Sequence, residues 1–580
     1  MDRRGRELVP VKILTAGAIA ALLQGIALPA LADINVGAYL AARQARYLND
    51  FDAAARYYTQ ALTRDAANPV ILESTAIAFM ALGDIDRAVP VARQIEEQDL
   101  ESQVAFMALI AEDMSKGNHD AVIERIEAGN GIGKLADGLV MAWTELARGD
   151  VDASLALFDE VAEERGLKNF ALYHKALALA SVGDFEAAEA IFSGEGQDAP
   201  LQRTRRGTRA WVTVLSQLER NDEAIALLDD AFGTTPDPEI LALRAELETG
   251  LPVAFDMISG PQDGVSEVFF SIGQALLGDM GDDYTLLYAR VAQYLNPDHI
   301  DAVLMSAELL ESLERYELAT QAYKSVPRDH PSFTAAEMGR AEALRRADKL
   351  DTAIEVLGQL RESHPDLPMV HVAAADLYRQ NEDYGKAVTA YDTAIELLGE
   401  AQPGHWFIYY ARAISHERQD EWTEAEADFR KALELNPEHP QVLNYLGYSL
   451  VEKQVKLDEA LDMIERAVEA QPESGYIVDS LGWALYRLGR YEESIGHMER
   501  AAELMPVDPV VNDHLGDVLW AVGREVEARF QWRRALSFVD KENPSPDVEP
   551  DRMRRKLEVG LDVVLQEEGA PPLEVADDGG

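Results

Sequence analysis

The feature that most constrains this chain is a period of 34 residues. From residue 266 onward a small residue recurs at Gly273, Ala307, Ala341, Ala375, Ala413, Gly447, Gly482 and Gly516, in steps of 34, 34, 34, 38, 34, 35 and 34. A second ladder follows at Ala319, Ala353, Ala387, Ala425, Ala460 and Ala528, with Ser494 as its one substitution. A third closes each period at Pro297, Pro331, Pro365, Pro437, Pro472 and Pro506, with Gly399 and Asp540 completing it. Segments such as Val442 to Glu452 and Leu457 to Ala470 place apolar residues three and four apart, the helical spacing, and no alternating run suggests strands. Each period therefore reads as helix, turn, helix. Ala or Gly where the two helices cross lets their backbones approach, and Tyr323, Tyr391, Phe429 and Trp532 fill the space one turn on. Proline ends the second helix because it has no N–H to donate and clashes with the preceding turn.

The most regular stretch runs Asn444-Tyr445-Leu446-Gly447-Tyr448 through Pro472, then Asp479-Ser480-Leu481-Gly482-Trp483-Ala484-Leu485-Tyr486 through Pro506, with a third copy from Asn512 to Asp540. These residues resemble the tetratricopeptide repeat family. The match is tight over 406–540 and looser over 266–405, where Ala replaces Gly at the crossing. The resemblance implies an all-α protein, a right-handed superhelical α-solenoid of about 14 stacked helix pairs. Members of the family bind partners on the concave face lined by the first helix of each repeat. Carried onto this sequence, those groove positions are Tyr410, Asn444, Tyr445, Tyr448, Asp479, Trp483, Tyr486, Asp513, Asp517 and Trp520. The family's clamp for an acidic chain terminus uses Lys and Asn where this chain has Tyr410, Asn444, Asp479 and Asp513, so that ligand is not expected.

The same ladders persist, eroded, toward the N-terminus. Ala42, Ala76, Ala142 and Ala176 hold the crossing position, Ala54, Ala88, Ala188 and Ala224 the second ladder, and Gly83, Gly149 and Gly183 the turn. This yields a degenerate array of about six repeats over 33–236 and an eight-repeat array over 266–540. Residues 237–265 interrupt the period with Gly250-Leu251-Pro252 and Ser259-Gly260-Pro261, and read as a joint. Residues 541–568 read as a spacer and a capping helix, and 569–580 as a disordered acidic tail.

The chain opens with Arg3, Arg4, Arg6 and Lys12, an apolar stretch from Ile13 to Leu28, and Ala30-Leu31-Ala32 before Asp33. That is the pattern of a secretory signal peptide, residues 1–32, with cleavage between Ala32 and Asp33, after which no stable membrane insertion is expected. An uncleaved anchor is the alternative, and Gln24 and Pro29 make the stretch a poor spanning helix. The expected location is the periplasm of a Gram-negative bacterium.

Composition removes other function classes. With 103 acidic against 53 basic residues the net charge is -50, which repels nucleic-acid phosphates. The absence of cysteine excludes disulfides, thiolate metal sites and cysteine nucleophiles. Gly129-Asn130-Gly131-Ile132-Gly133-Lys134 lacks the first glycine of a phosphate loop and has Leu135 where the magnesium-holding hydroxyl belongs. The eleven histidines show no metal-ligand spacing, and the Asp279, Asp282, Asp283 cluster lacks a calcium-loop pattern. No cofactor, metal or catalytic residue is expected, and no segment outside the repeats is left to house an enzyme. The reading is a non-catalytic scaffold or adaptor of the cell envelope, binding protein or peptide segments. The aromatic faces and carboxylates of the groove point to a basic, partly apolar ligand. The alternative is a glycan-handling module in surface polysaccharide export or cell-wall assembly, with Trp483, Tyr486 and Trp520 stacking on sugars.

Overall fold

The computed structural model describes residues 34–194, 201, 203–233, 238–540 and 548–573. The leader with its Ala32/Asp33 cleavage site, Pro236, residues 541–547 of the spacer and residues 574–580 of the tail lie outside them. Every regular element among the described residues is helical. The helices run in antiparallel pairs: α1 and α2 (Ile34–Tyr47, Phe51–Leu62), α3 and α4 (Pro69–Ala81, Ile85–Glu97), α5 and α6 (Gln103–Ser115, His119–Glu127), α7 and α8 (Lys134–Ala147, Val151–Glu163). There follow α9 and α10 (Lys168–Ser181, Phe185–Ser193), α11 and α12 (Arg205–Gln217, Asn221–Phe232), a single α13 (Pro238–Glu248), α14 and α15 (Pro261–Leu276, Asp282–Leu295), α16 and α17 (Ile300–Ser312, Tyr316–Lys324) and α18 and α19 (Phe333–Arg346, Leu350–Ser363). The pairs continue with α20 and α21 (Pro368–Gln380, Tyr384–Leu398), α22 and α23 (Trp406–Glu417, Trp422–Leu435), α24 and α25 (Pro440–Glu452, Leu457–Ala470), α26 and α27 (Gly475–Arg487, Tyr491–Leu504), α28 and α29 (Pro509–Ala521, Glu525–Phe538), and α30 and α31 (Pro550–Val559, Leu561–Glu568).

Local chemistry sets the turns. At Gly83-Asp84, Gly149-Asp150 and Gly183-Asp184 the glycine takes a left-handed φ of 78°, 87° and 87°, which ends the first helix without a Cβ penalty. The aspartate beside it caps the second helix, accepting the backbone N–H of Arg87, Ala153 and Ala187 in turn. The crossing ladder is buried throughout. A Cβ added at Gly447 would stand 2.9 Å from the Ala460 carbonyl oxygen, and one at Gly516 2.4 Å from the Trp532 ring. Ser494, the lone substitution in the second ladder, is buried too and donates to the Gly482 carbonyl at 2.6 Å, so its hydroxyl is satisfied where alanine would have none.

The chain divides into two compact units, the first ending at Val356 and the second beginning at Leu357. The division falls inside α19 and not in the interrupted stretch 237–265. The physical reason is the α14–α15 pair. Within the first unit it folds back onto the first helices of the preceding repeats, α14 packing on α7 and α9 and α15 on α3 and α5. Met107, Ala111, Leu139 and Trp143, which line that row of first helices, are completely buried. Gly264 of α14 lies so close that a Cβ there would fall 2.2 Å from the Trp143 ring. One hydrophobic core therefore runs on from the N-terminal repeats through α14 and α15.

A buried polar lock holds the pair in place. The Glu267 carboxylate on α14 accepts from Tyr173 Oη at 2.7 Å, Arg206 Nη2 at 2.7 Å and His299 Nε2 at 3.0 Å, reaching α9, α11 and the start of α16. Burial alone would raise the Glu267 pKa, but Arg206 and His299 overcome it and hold the carboxyl well below the usual range. His174 on α9 accepts from Trp143 Nε1 through Nδ1, at 3.2 Å, and its Nε2 meets Ser271 Oγ at 3.1 Å. Desolvation pushes its pKa down to about 4, so the ring is neutral.

Candidate functional site

The ten groove positions all belong to the second unit, on α22, α24, α26 and α28. Tyr410 on α22 is half-buried, 6.0 Å from Phe429 and edge-on to Tyr445 at 6.0 Å, and burial pushes its hydroxyl pKa up to about 12. Tyr445 on α24 points into the packing, its hydroxyl donating to Glu417 at 2.8 Å and its ring 5.1 Å from Phe429. Tyr448 is half-buried one turn further along the same helix. Asn444 is only 7% exposed, and its Oδ1 has no hydrogen-bond partner among the described residues. A buried acceptor left unmet costs about 1 to 3 kcal/mol, and an outside donor could reach this one only if the Asn444 side chain turned outward.

The other positions have partners within the chain. Asp479 on α26 is buried and faces His514 Nδ1 at 3.0 Å. Burial disfavours the His514 imidazolium, the Asp479 carboxylate more than offsets this, and the His514 pKa lies above the ordinary value. Trp483 stacks with His514 at 3.9 Å and with Tyr486 at 4.8 Å, and its Nε1 donates to Glu452 at 3.0 Å. Trp520 donates to Asp562 at 3.0 Å, packs on Trp532 at 5.4 Å and carries the Arg529 guanidinium over its ring at 5.1 Å. The rings proposed as sugar platforms thus already stack or pack against side chains of this protein.

Asp513 and Asp517 on α28 hold a cation of the same chain. A basic external ligand was expected there, and the position is taken by Lys556 of α30. Its ammonium, fully buried, lies 2.9 Å from both Asp513 oxygens and 2.6 and 2.8 Å from those of Asp517. Trp532 Nε1 donates to Asp517 at 2.8 Å, and Arg552 approaches it at 3.4 Å. Burial holds the Asp513 carboxyl above its usual range against the pull of Lys556. The cation complementary to these carboxylates is therefore built into the same chain. Its spacing from them, some forty residues away along the sequence, gave no local signal.

Tyr410, Tyr445 and Tyr448 stay partly exposed, and a cleft of about 550 Å³ lies where Trp483, Tyr486 and Tyr491 meet Arg552, Glu568 and Leu573. The tetratricopeptide repeat family model matches residues 39–100, 139–200, 338–405, 410–475 and 453–509, just over half of the chain. The chain belongs to the tetratricopeptide repeat family. A TPR repeat-containing protein of Pseudomonas aeruginosa is 26% identical over 159 residues, which are 27% of this chain and 26% of that protein. The E3 ubiquitin-protein ligase CHIP of Arabidopsis thaliana is 28% identical over 117 residues, 20% of this chain and 40% of the ligase. The chain thus spans well under two thirds of either relative. Among solved structures, the APC/C hetero-tetramer Cut9-Hcn1 aligns with 95% of this chain and 99% of its own, at 14% identity and a TM-score of 0.37.

The fold also explains a missed feature, the occupied row of first helices in the first unit. Its signal was in the sequence. Val104 to Ala111 reads Val-Ala-Phe-Met-Ala-Leu-Ile-Ala with no polar face, and Val104 to Met114 are all buried. A repeat helix apolar all round is covered on both sides, not on one.

Proposed function

We propose that this tetratricopeptide repeat protein is a non-catalytic scaffold that holds protein segments on the α22–α26 face of its second unit. The observation that carries the reading is Asn444: a buried side-chain oxygen without a donor, on the helix between Tyr410 and Asp479, at a position the family uses for partners. With the Asn444 side chain turned outward, an extended segment offering a backbone or side-chain N–H would satisfy it while covering the flanking rings. The downstream carboxylates are neutralised by Lys556, so the segment at this face is more aromatic and amide-seeking than basic. A photo-cross-linking residue in place of Tyr448 should capture a partner from the native cell fraction, and Asn444→Ala should weaken that partner at least tenfold. Equal capture from Arg430, on a second helix of the stack, would sink the assignment. We further propose an envelope location, supported by the leader sequence; N-terminal sequencing of the native protein should begin at Asp33, and recovery of Met1 would refute it.

A further inference from the structure

The first unit carries a second surface, at the opposite end of its row of first helices. Where α14 and α15 lie on that row the side chains beneath are fully buried, but α1 is bare. Val36, Leu40 and Tyr47 are 54%, 57% and 83% exposed, and with Arg43 they form one stripe at i, i+4, i+7 and i+11. Val70, at the start of α3, adds a further apolar side chain that is 57% exposed. Isolated exposed apolar residues are ordinary; a contiguous stripe on one helical face is not. The cations beside it have no carboxylate among the described residues: Arg43 lies over the Tyr39 ring at 6.0 Å, and Arg46 Nη1 reaches Ser74 Oγ at 3.2 Å. The nearby carboxylate of Glu73 accepts instead from Ser102 at 3.2 Å. In a chain with 103 acidic and 53 basic residues, an apolar stripe edged by two arginines without acids is a departure from the rest of the surface.

We propose that α1, with the start of α3, docks an acidic amphipathic helix of another protein. The helical form follows from the unit itself, because the same row of first helices already takes α14 and α15 as its occupants. The sign follows from Arg43 and Arg46, which would pair with acidic residues flanking the helix's apolar stripe while Leu40 and Tyr47 take that stripe. A second copy fits less well, since its α1 brings the same arginines and no acidic residue to the contact. The preceding residues of this chain, with Arg3, Arg4, Arg6 and Lys12, are no candidate where the leader is removed before Asp33. This surface is independent of the α22–α26 face, so either assignment can fail alone.

The test uses the full chain and a fluorescent, helix-stabilised synthetic peptide with leucines at i, i+4, i+7 and i+11 and flanking glutamates. Anisotropy should show saturable binding that falls at least tenfold in Leu40→Asp and in the double variant Arg43→Glu, Arg46→Glu. Tyr47→Ser, at a side chain that packs on little, should also weaken binding with an unchanged thermal melt, which separates docking from folding. A peptide with lysine in place of each glutamate should not bind, and about 1 M salt should weaken the acidic one by screening its charge pairs. Binding indifferent to all three variants, or no binding of the acidic peptide, overturns the proposal. So does a dimer in sedimentation that Leu40→Asp dissolves, since the face would then belong to a second copy.

Discussion

Replacing Lys556 by methionine removes the buried ammonium while keeping its apolar stem against Trp532. Asp513 and Asp517 then stay in place without the cation that all four of their oxygens hold at 2.6 to 2.9 Å. Breaking a buried ion pair by deleting one partner costs about 3 to 5 kcal/mol, because the remaining charge is desolvated without compensation. Two features place this case at the lower end. Arg552 stays 3.4 Å from Asp517, and Asp513 remains partly open to water. A loss of about 3 kcal/mol corresponds to roughly a hundredfold rise in the local opening constant. Repeat arrays couple mainly to their neighbours, so the effect should be confined to the C-terminal end. Native-state hydrogen exchange should show amides of α28 to α30 exchanging roughly a hundredfold faster, with those of α20 and α21 unchanged. Adding Asp513→Asn and Asp517→Asn should restore most of the protection, since neutral amides need no counter-charge and the amide oxygen introduced by the second change can still accept from Trp532. Exchange in α28 to α30 within about threefold of wild type in the single variant would show that the ion cluster does not hold the cap.

Three further outcomes follow from the packing and the titrating groups. Ala460→Leu should cost the α24–α25 pair about 1 to 3 kcal/mol in urea unfolding, because the Ala460 backbone already abuts Gly447; wild-type stability would mean the repeat register is wrong. Gly264→Ala should loosen the α14–α15 pair from Trp143, seen as faster proteolysis between α13 and α14, and unchanged cleavage would contradict the close approach. The His514 pKa is raised in the fold, so its pairing with Asp479 stabilises fully below the ordinary histidine value of 6.5 and is lost as pH rises through the raised value. The stability difference between wild type and His514→Asn should therefore shrink as pH rises from about 6 to about 9, and a difference that grows would reverse the sign.

How much was legible depended on the range of the interaction. The repeat period, the turn glycines and the small residues at each crossing are encoded within about 34 residues of one another, so spacing alone reveals them. The interactions that decide the surfaces are not local. Lys556 meets Asp517 from the other end of a helix pair, and Glu267 meets Tyr173 across 94 residues. A repeat motif reports where a first helix sits, but not what lies on it. Asp513 and Asp517 read as an open acidic face in sequence, because an aspartate waiting for a ligand and one already paired are spelled alike.

The amino-acid sequence by itself determined the helix pairs, their register and the family, since each repeat must bury the same side of the same two helices against its neighbour. Only the tertiary structure decided which of those faces remain bare. The row of first helices in the first unit is filled by α14 and α15, the carboxylates of the last repeat are filled by Lys556, and Asn444 and the α1 stripe are left without partners among the described residues. The physical reason is that repeat energetics are nearest-neighbour and therefore periodic, whereas occupancy of a face depends on where a distant segment returns, and no period carries that information.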